Sequence, residues 1–261
     1  MSETVRYEVA DRVATLTIDR PAVKNALGPD EWRALGSAIA EAGSDVAVRV
    51  LIVTGEGGNF SAGGDVKTMP ERLALPAPER RERLLADAQI IRAMRDLPKP
   101  ILAAIDGVCV GAGLSLALAC DLRIATKRAK LGAVFHRVGL TGDFGLLHLL
   151  PRTVGPARAL ELVLLAELID AARAESIGLV TRVVDPERLS DETRALAARL
   201  ADGPPVAQAL SKQGLQRALE QELAATLEWE AFAQAIASRT DDAREGLAAL
   251  AEKRPPRFTG R

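Results

Sequence analysis

The chain has 261 residues, 48% of them hydrophobic, with 34 Lys and Arg against 35 Asp and Glu, a formal net charge of −1 and a pI near 6.2. This composition supports a sizeable core in one large domain or a main domain with an appendage, and it excludes disorder and nucleic acid as a partner, which would need a basic face. No apolar run reaches the roughly 20 residues of a membrane helix, and MSETVRYEVADR lacks the apolar core of a secretory signal, so a cytoplasmic protein with no membrane partner is expected.

VATLTID from Val13 alternates and is β-rich, and RVLIVTG from Arg49 is the near-continuous apolar run of a strand buried on both faces. Between them, EWRALGSAIAEAGSD from Glu31 has helical spacing and is entered at Pro29-Asp30. The stretch from Pro70 is charged and broken by proline, which predicts a mobile, pocket-covering loop over about Pro70 to Arg83, followed by an amphipathic helix that ends before Pro98. ILAAIDG then reads as a strand, GAGLSLALAC as a helix entered through glycines and DLRIA as a strand, which together indicate an α/β core. Cys109 and Cys120 lie in this apolar stretch as buried hydrophobes rather than as a disulfide or metal site. After about Leu189 only helical periodicity remains, so residues 1–190 are read as the core and residues 191–261 as a helical module.

Two glycine-rich turns could carry chemistry. NFSAGGDVKTM (Asn59 to Met69) follows a strand, and its small residues would let backbone N–H groups face a ligand; alone, such a cluster is more often an ordinary turn. DGVCVGAGLSLALACD (Asp106 to Asp121) leads glycines into an apolar helix, whose free N–H groups and positive dipole end would face whatever precedes it; alone, it is close strand–helix packing. Two donors converging on one oxygen would form an oxyanion hole.

Taken with VGLTGDFGLLHLLPRTVG, RPAVKNAL, ELIDAARAESIGLVTRVV and the tail EGLAALAEKRPPRFTGR, the two turns resemble in order the signature series of the enoyl-CoA hydratase/isomerase (crotonase) family. The resemblance implies a spiral core of strand-strand-helix (ββα) turns and a C-terminal helical module that packs trimers, often paired as hexamers. It implies an acyl-CoA thioester as substrate, with CoA part of that substrate and no metal or redox cofactor. Carried over residue by residue, it implies that the N–H groups of Ala62 and Ala112 are the oxyanion donors. Ala62, Gly63, Gly64, Asp65 and Val66 would line the CoA site through backbone, with Lys24 and Lys67 near its polar end. Lys253 and Phe258 would reach a CoA bound in a neighbouring subunit. The lysines could equally be surface charges and Phe258 a packed tail anchor.

The chain departs from the hydratase pattern where that chemistry needs acid and base groups. The two glutamates of typical family hydratases fall here on Ser115 and Phe135, and neither side chain has useful basicity alone. Asp143, in GLTGDFG, stands where family isomerases and a dehalogenase branch place a working aspartate, and one carboxylate can both take and return a proton; alternatively it caps a helix beginning near Phe144. His136 would point away from the pocket if Phe135 points in along an extended segment, and His148 reads as a packed core residue. Gly142, Phe144 and Leu146 replace the family's usual Pro, Ala and Gly, which implies a reshaped acyl pocket. An isomerase is favoured on these residues, with a hydratase, a non-catalytic acyl-CoA binder and a structural protein as alternatives.

Overall fold

The computed structural model describes residues 4–261. In chain order the elements are β1 (Val5–Ala10), β2 (Val13–Ile18), α1 (Pro29–Ser44), β3 (Val50–Gly55), α2 (Met69–Ala74), α3 (Ala77–Asp96), β4 (Ile101–Ile105), β5 (Val108–Val110), α4 (Ala112–Ala119), β6 (Leu122–Thr126) and β7 (Lys130–Gly132). There follow α5 (Leu146–Val154), α6 (Pro156–Leu165), β8 (Ile169–Asp170), α7 (Ala171–Ser176), β9 (Arg182–Val184), α8 (Leu189–Ala201), α9 (Pro205–Ala218), α10 (Leu223–Ala237) and α11 (Asp241–Glu252).

The main sheet has strand order β1-β2-β3-β4-β6-β9, and only the β1–β2 pair is antiparallel within it. Asp11 and Arg12, both at positive φ, turn the β1–β2 hairpin. A second sheet, β5-β7-β8, pairs β5 parallel and β8 antiparallel to β7. This is the crotonase-type α/β architecture the sequence implies.

β3 and β4 are buried on both faces, as the uninterrupted apolar runs predict. Leu51, Val53, Ile101, Ala103 and Ile105 pack into the main core with α1, α3 and α4, while Val50, Ile52, Leu102 and Ala104 form a second cluster with Ala197 and Ala201 of α8. Thus α8 covers the sheet, although the sequence reading puts it in the C-terminal module. α9 is tied to the core by Lys212, whose Nζ lies 2.8 Å from Asp121 Oδ2 and donates to the carbonyls of Lys99 and Met94. Cys109 and Cys120 are free and buried.

Three expectations are corrected here. The stretch read as a mobile loop over Pro70 to Arg83 is helical: Pro70 sits in the first turn of α2 and Pro76 caps α3, positions where a missing N–H costs nothing. His148 is on the surface rather than in the core, with Nε2 3.2 Å from Glu220 Oε1. Val134–Val138 is a 3-10 turn rather than an extended segment, so alternation cannot orient its side chains; even so Phe135 is buried and His136 exposed.

Candidate active site

The two glycine turns meet beside one another because the segment after β3 pairs with β5. Ser61 donates its N–H to the Val108 carbonyl at 2.9 Å and accepts from the Val110 N–H at 3.1 Å. The Ser61 hydroxyl bridges onward, donating to the Asn25 carbonyl at 2.7 Å and accepting from the Gly63 N–H at 3.1 Å. Contact between the turns is close enough to demand glycine: a Cβ on Gly63, at φ +86, would lie 2.8 Å from the Val110 carbonyl oxygen, and one on Gly113 would lie 2.7 Å from Ser61 Cβ.

The pairing of residues 62–65 with Lys24 and Leu27 decides which N–H groups are free. The N–H of Ala62 donates to the Lys24 carbonyl at 2.8 Å, so it is not the available donor that the resemblance implies. Leu27 then donates to the Gly63 carbonyl at 2.7 Å and accepts from the Asp65 N–H at 3.0 Å, a parallel bridge that turns the N–H of Gly64 to the opposite side. Gly64 and Ala112, the first residue of α4, have N–H groups with no acceptor among the described residues. The free pair facing the cavity is therefore Gly64 and Ala112, not Ala62 and Ala112. Because Ala62 and Gly64 are two residues apart, alternation along the sequence does not separate them; only the pairing with Lys24 and Leu27 does.

Both free donors line a cavity of about 260 Å³, whose wall includes Ala62, Gly63, Val66, Trp32, Phe135 and Phe144. Trp32 and Phe144 stack with ring centroids 4.1 Å apart and an interplanar angle of 13°, giving the cavity a flat aromatic side. Asp143 also faces it. Its Oδ1 is buried without a hydrogen-bond partner, and the helix it was expected to cap starts at Leu146 with Gly145 as the cap, so the capping alternative falls. Burial pushes the Asp143 carboxyl up to about 6, against the opposing pull of Arg72 and Arg80.

The remaining expected site residues lie as follows. Ser115 is buried outside the cavity wall and donates its hydroxyl to the Asp143 carbonyl at 3.0 Å, fixing the backbone that carries Asp143. Asp65 turns inward to Arg20, with Oδ2 2.9 Å from Nη2. Burial opposes its ionisation, but the Lys67 N–H and Arg20 outweigh this and hold the carboxyl below the usual range. Arg20 also donates to the Ala26 carbonyl at 2.7 Å and to Glu31 at 3.2 Å, locking the donor turn to the start of α1. Lys24, Lys67 and Lys253 are exposed and, like Phe258, lie outside the cavity wall; Phe258 packs beside Gly246 and its carbonyl accepts from Arg49. Arg72 and Arg80, which face the cavity from α2 and α3, escaped the sequence reading because that stretch was read as a loop.

A carboxyl with a buried, unpartnered Oδ1, two unsatisfied N–H groups and an apolar slot are the parts with which a site can polarise a carbonyl and move a neighbouring proton. Residues 8–261 match the enoyl-CoA hydratase/isomerase family model. The chain belongs to that family. As an enoyl-CoA hydratase/isomerase family enzyme it is 36% identical to crotonyl-CoA hydratase of Syntrophomonas wolfei, over 98% of each chain. It is also 36% identical to 1,2-epoxyphenylacetyl-CoA isomerase of Escherichia coli K12, over the full length of both. Among solved structures, enoyl-CoA hydratase/isomerase from Cupriavidus metallidurans superposes with a TM-score of 0.94 at 32% identity, covering 99% of this chain and 97% of that one. A relative named as a hydratase and one named as an epoxide isomerase thus match this family member at the same identity, and the distinction between reactions falls to its own residues.

Proposed function

We propose that the protein is an enoyl-CoA isomerase in which Asp143 moves the proton. The thioester oxygen sits between the N–H groups of Gly64 and Ala112. Asp143, as carboxylate, takes a proton from the α-carbon of a 3-enoyl thioester, the electron pair delocalises onto the thioester oxygen as a dienolate, and the same carboxyl returns the proton at the γ-carbon to give the 2-enoyl isomer. The observation that carries this reading is the Asp143 carboxyl, whose Oδ1 is buried without a hydrogen-bond partner and which burial raises to about 6, in a cavity where the hydratase glutamate positions hold Ser115 and Phe135. A pKa near neutrality lets one group serve as base and then as acid.

The test is to incubate the enzyme with 3-enoyl-CoA and 2-enoyl-CoA of several chain lengths and resolve the products by mass. A same-mass shift that disappears in Asp143→Asn supports the proposal; a gain of one water by the wild type refutes it in favour of a hydratase. Leu215, Leu223, Leu227, Phe232, Leu247 and Leu250 are exposed on α9–α11, and an apolar face of that kind supports the expected trimer or dimer of trimers. Light scattering giving a monomer mass would refute that assembly.

A further inference from the structure

The charge of the acyl cavity is lopsided. Three arginines, Arg72, Arg80 and Arg137, line it against the single carboxylate of Asp143. Arg137 is engaged elsewhere, its Nε donating to the Ala166 carbonyl at 2.7 Å. Arg72 has Asp87, with Nη2 3.4 Å from Oδ2. Arg80 donates from Nη1 to the Arg72 carbonyl at 3.0 Å and has no carboxylate partner among the described residues. Asp143 does not supply one, since its buried Oδ1 accepts no hydrogen bond.

A guanidinium has five N–H donors in a planar fork, and taking it partly out of water into a cavity also lined by Trp32, Leu84, Phe135 and Phe144 is unfavourable unless an anion compensates. No side chain of the cavity wall plays that part for Arg80. Arg72 and Arg80 share the cavity wall with Asp143 and act electrostatically on it, whereas the phosphates of CoA would lie a whole pantetheine arm away from the thioester.

We propose that Arg80, backed by Arg72, binds a carboxylate carried on the acyl group, so that the substrate is the CoA thioester of an unsaturated dicarboxylic acid. This inference rests on the acyl-CoA reading above and specifies its substrate class. Arginine is suited to the task because its fork pairs both carboxylate oxygens at once, with a strength and geometry that a lone lysine ammonium does not match. The aromatic side formed by Trp32 and Phe144 would hold the flat enoyl segment between the donor pair and the arginines.

The experiment compares binding of two saturated thioesters of equal length, pentanoyl-CoA and glutaryl-CoA, by titration calorimetry with wild type, Arg80→Gln and Arg80→Lys. Neither ligand can isomerise, so the result does not depend on which reaction the enzyme catalyses. Wild type is expected to bind glutaryl-CoA about 10- to 100-fold more tightly, as a charge-assisted pair predicts. Arg80→Gln should bring that ratio close to one, and Arg80→Lys should restore part of it. Equal affinities in the wild type, or equal weakening of both ligands in Arg80→Gln, would overturn the proposal; the second outcome would place Arg80 on the CoA phosphates. Binding of pentanoyl-CoA without preference leaves the acyl-CoA reading standing, whereas no binding of either thioester overturns both.

Discussion

Replacing Asp143 by Asn keeps the side chain's shape and removes its proton chemistry, and it should push stability and activity in opposite directions. The carboxyl titrates near 6 in the folded protein because burial disfavours its charge, against 3.8 for an ordinary aspartate. A group raised in this way stabilises the fold fully only below the unfolded value, and that contribution is lost as pH rises through the folded value. With about 1.4 kcal/mol per pH unit, the raised carboxyl costs the fold about 3 kcal/mol at pH 7.5, where it is ionised, and about half of that near pH 5, where the fold must hold it protonated while the unfolded chain would ionise it. The amide introduced by Asp143→Asn does not titrate, and it exchanges one unsatisfied buried polar group for another, so the variant should gain most at neutral pH. Calorimetric melting should place Asp143→Asn about 6 °C above wild type at pH 7.5, with about half that gap near pH 5. Turnover should fall by about 10²- to 10⁴-fold, the usual worth of a general acid–base group. Wild-type kcat/KM should rise through pH 6 and level off above it, an inflection absent from the variant's residual rate. A stability gap independent of pH, or a variant that retains full turnover, would refute the argument.

Ala112→Pro removes one donor at the first helical position, where proline is tolerated; kcat should drop by about 10²- to 10³-fold with melting little changed, and an unaltered kcat would remove Ala112 from the donor pair. Ser115→Ala takes away the hydroxyl that holds the Asp143 carbonyl, so a loss of about 1 kcal/mol in stability and less than about tenfold in rate is expected for a positioning contact; steady-state kinetics showing a far larger rate loss would make Ser115 a reacting group. Arg20→Met leaves Asp65 and Glu31 buried without their cation and should cost about 3 kcal/mol at neutral pH. Because the Asp65 carboxyl is depressed, its share of that difference should persist above its ordinary value of 3.8 and fade as pH falls below it, which denaturant titrations at several pH values would detect.

Much of the core could be read from single residues. The continuous apolar run 50–53 announced a strand covered on both faces, and the alternation Leu51, Val53 against Val50, Ile52 sorts its side chains between two clusters. β1 went unread because VRYEVA buries only Val5 and leaves the pattern of an exposed edge. Proline misled at 70–76, since the same residue that breaks a helix interior also begins one, and sequence alone does not say which. The donor assignment missed by two residues: the glycine motif located the turn correctly, but whether Ala62 or Gly64 presents a free N–H depends on pairing with Leu27, a partner 37 positions away. The position of Asp143 in the family signature was legible, whereas its buried, unpartnered Oδ1 is a property of packing and could be seen only in three dimensions.

The α2–α3 segment gives this enzyme a division of labour. Its buried anchors are Ile90, Ile91 and Met94, all late in α3, and α2 buries nothing. Yet Met69, Arg72, Arg80 and Leu84, from the unanchored first half, all face the cavity. The donor turns are meanwhile fixed by β3, β5 and the Arg20 network, which make no use of that half. Changes over residues 69–84 could therefore retune which acyl groups are accepted while leaving both the Gly64–Ala112 donor turns and the folding core intact, so a library confined to that stretch is a natural starting point for altering what the protein accepts.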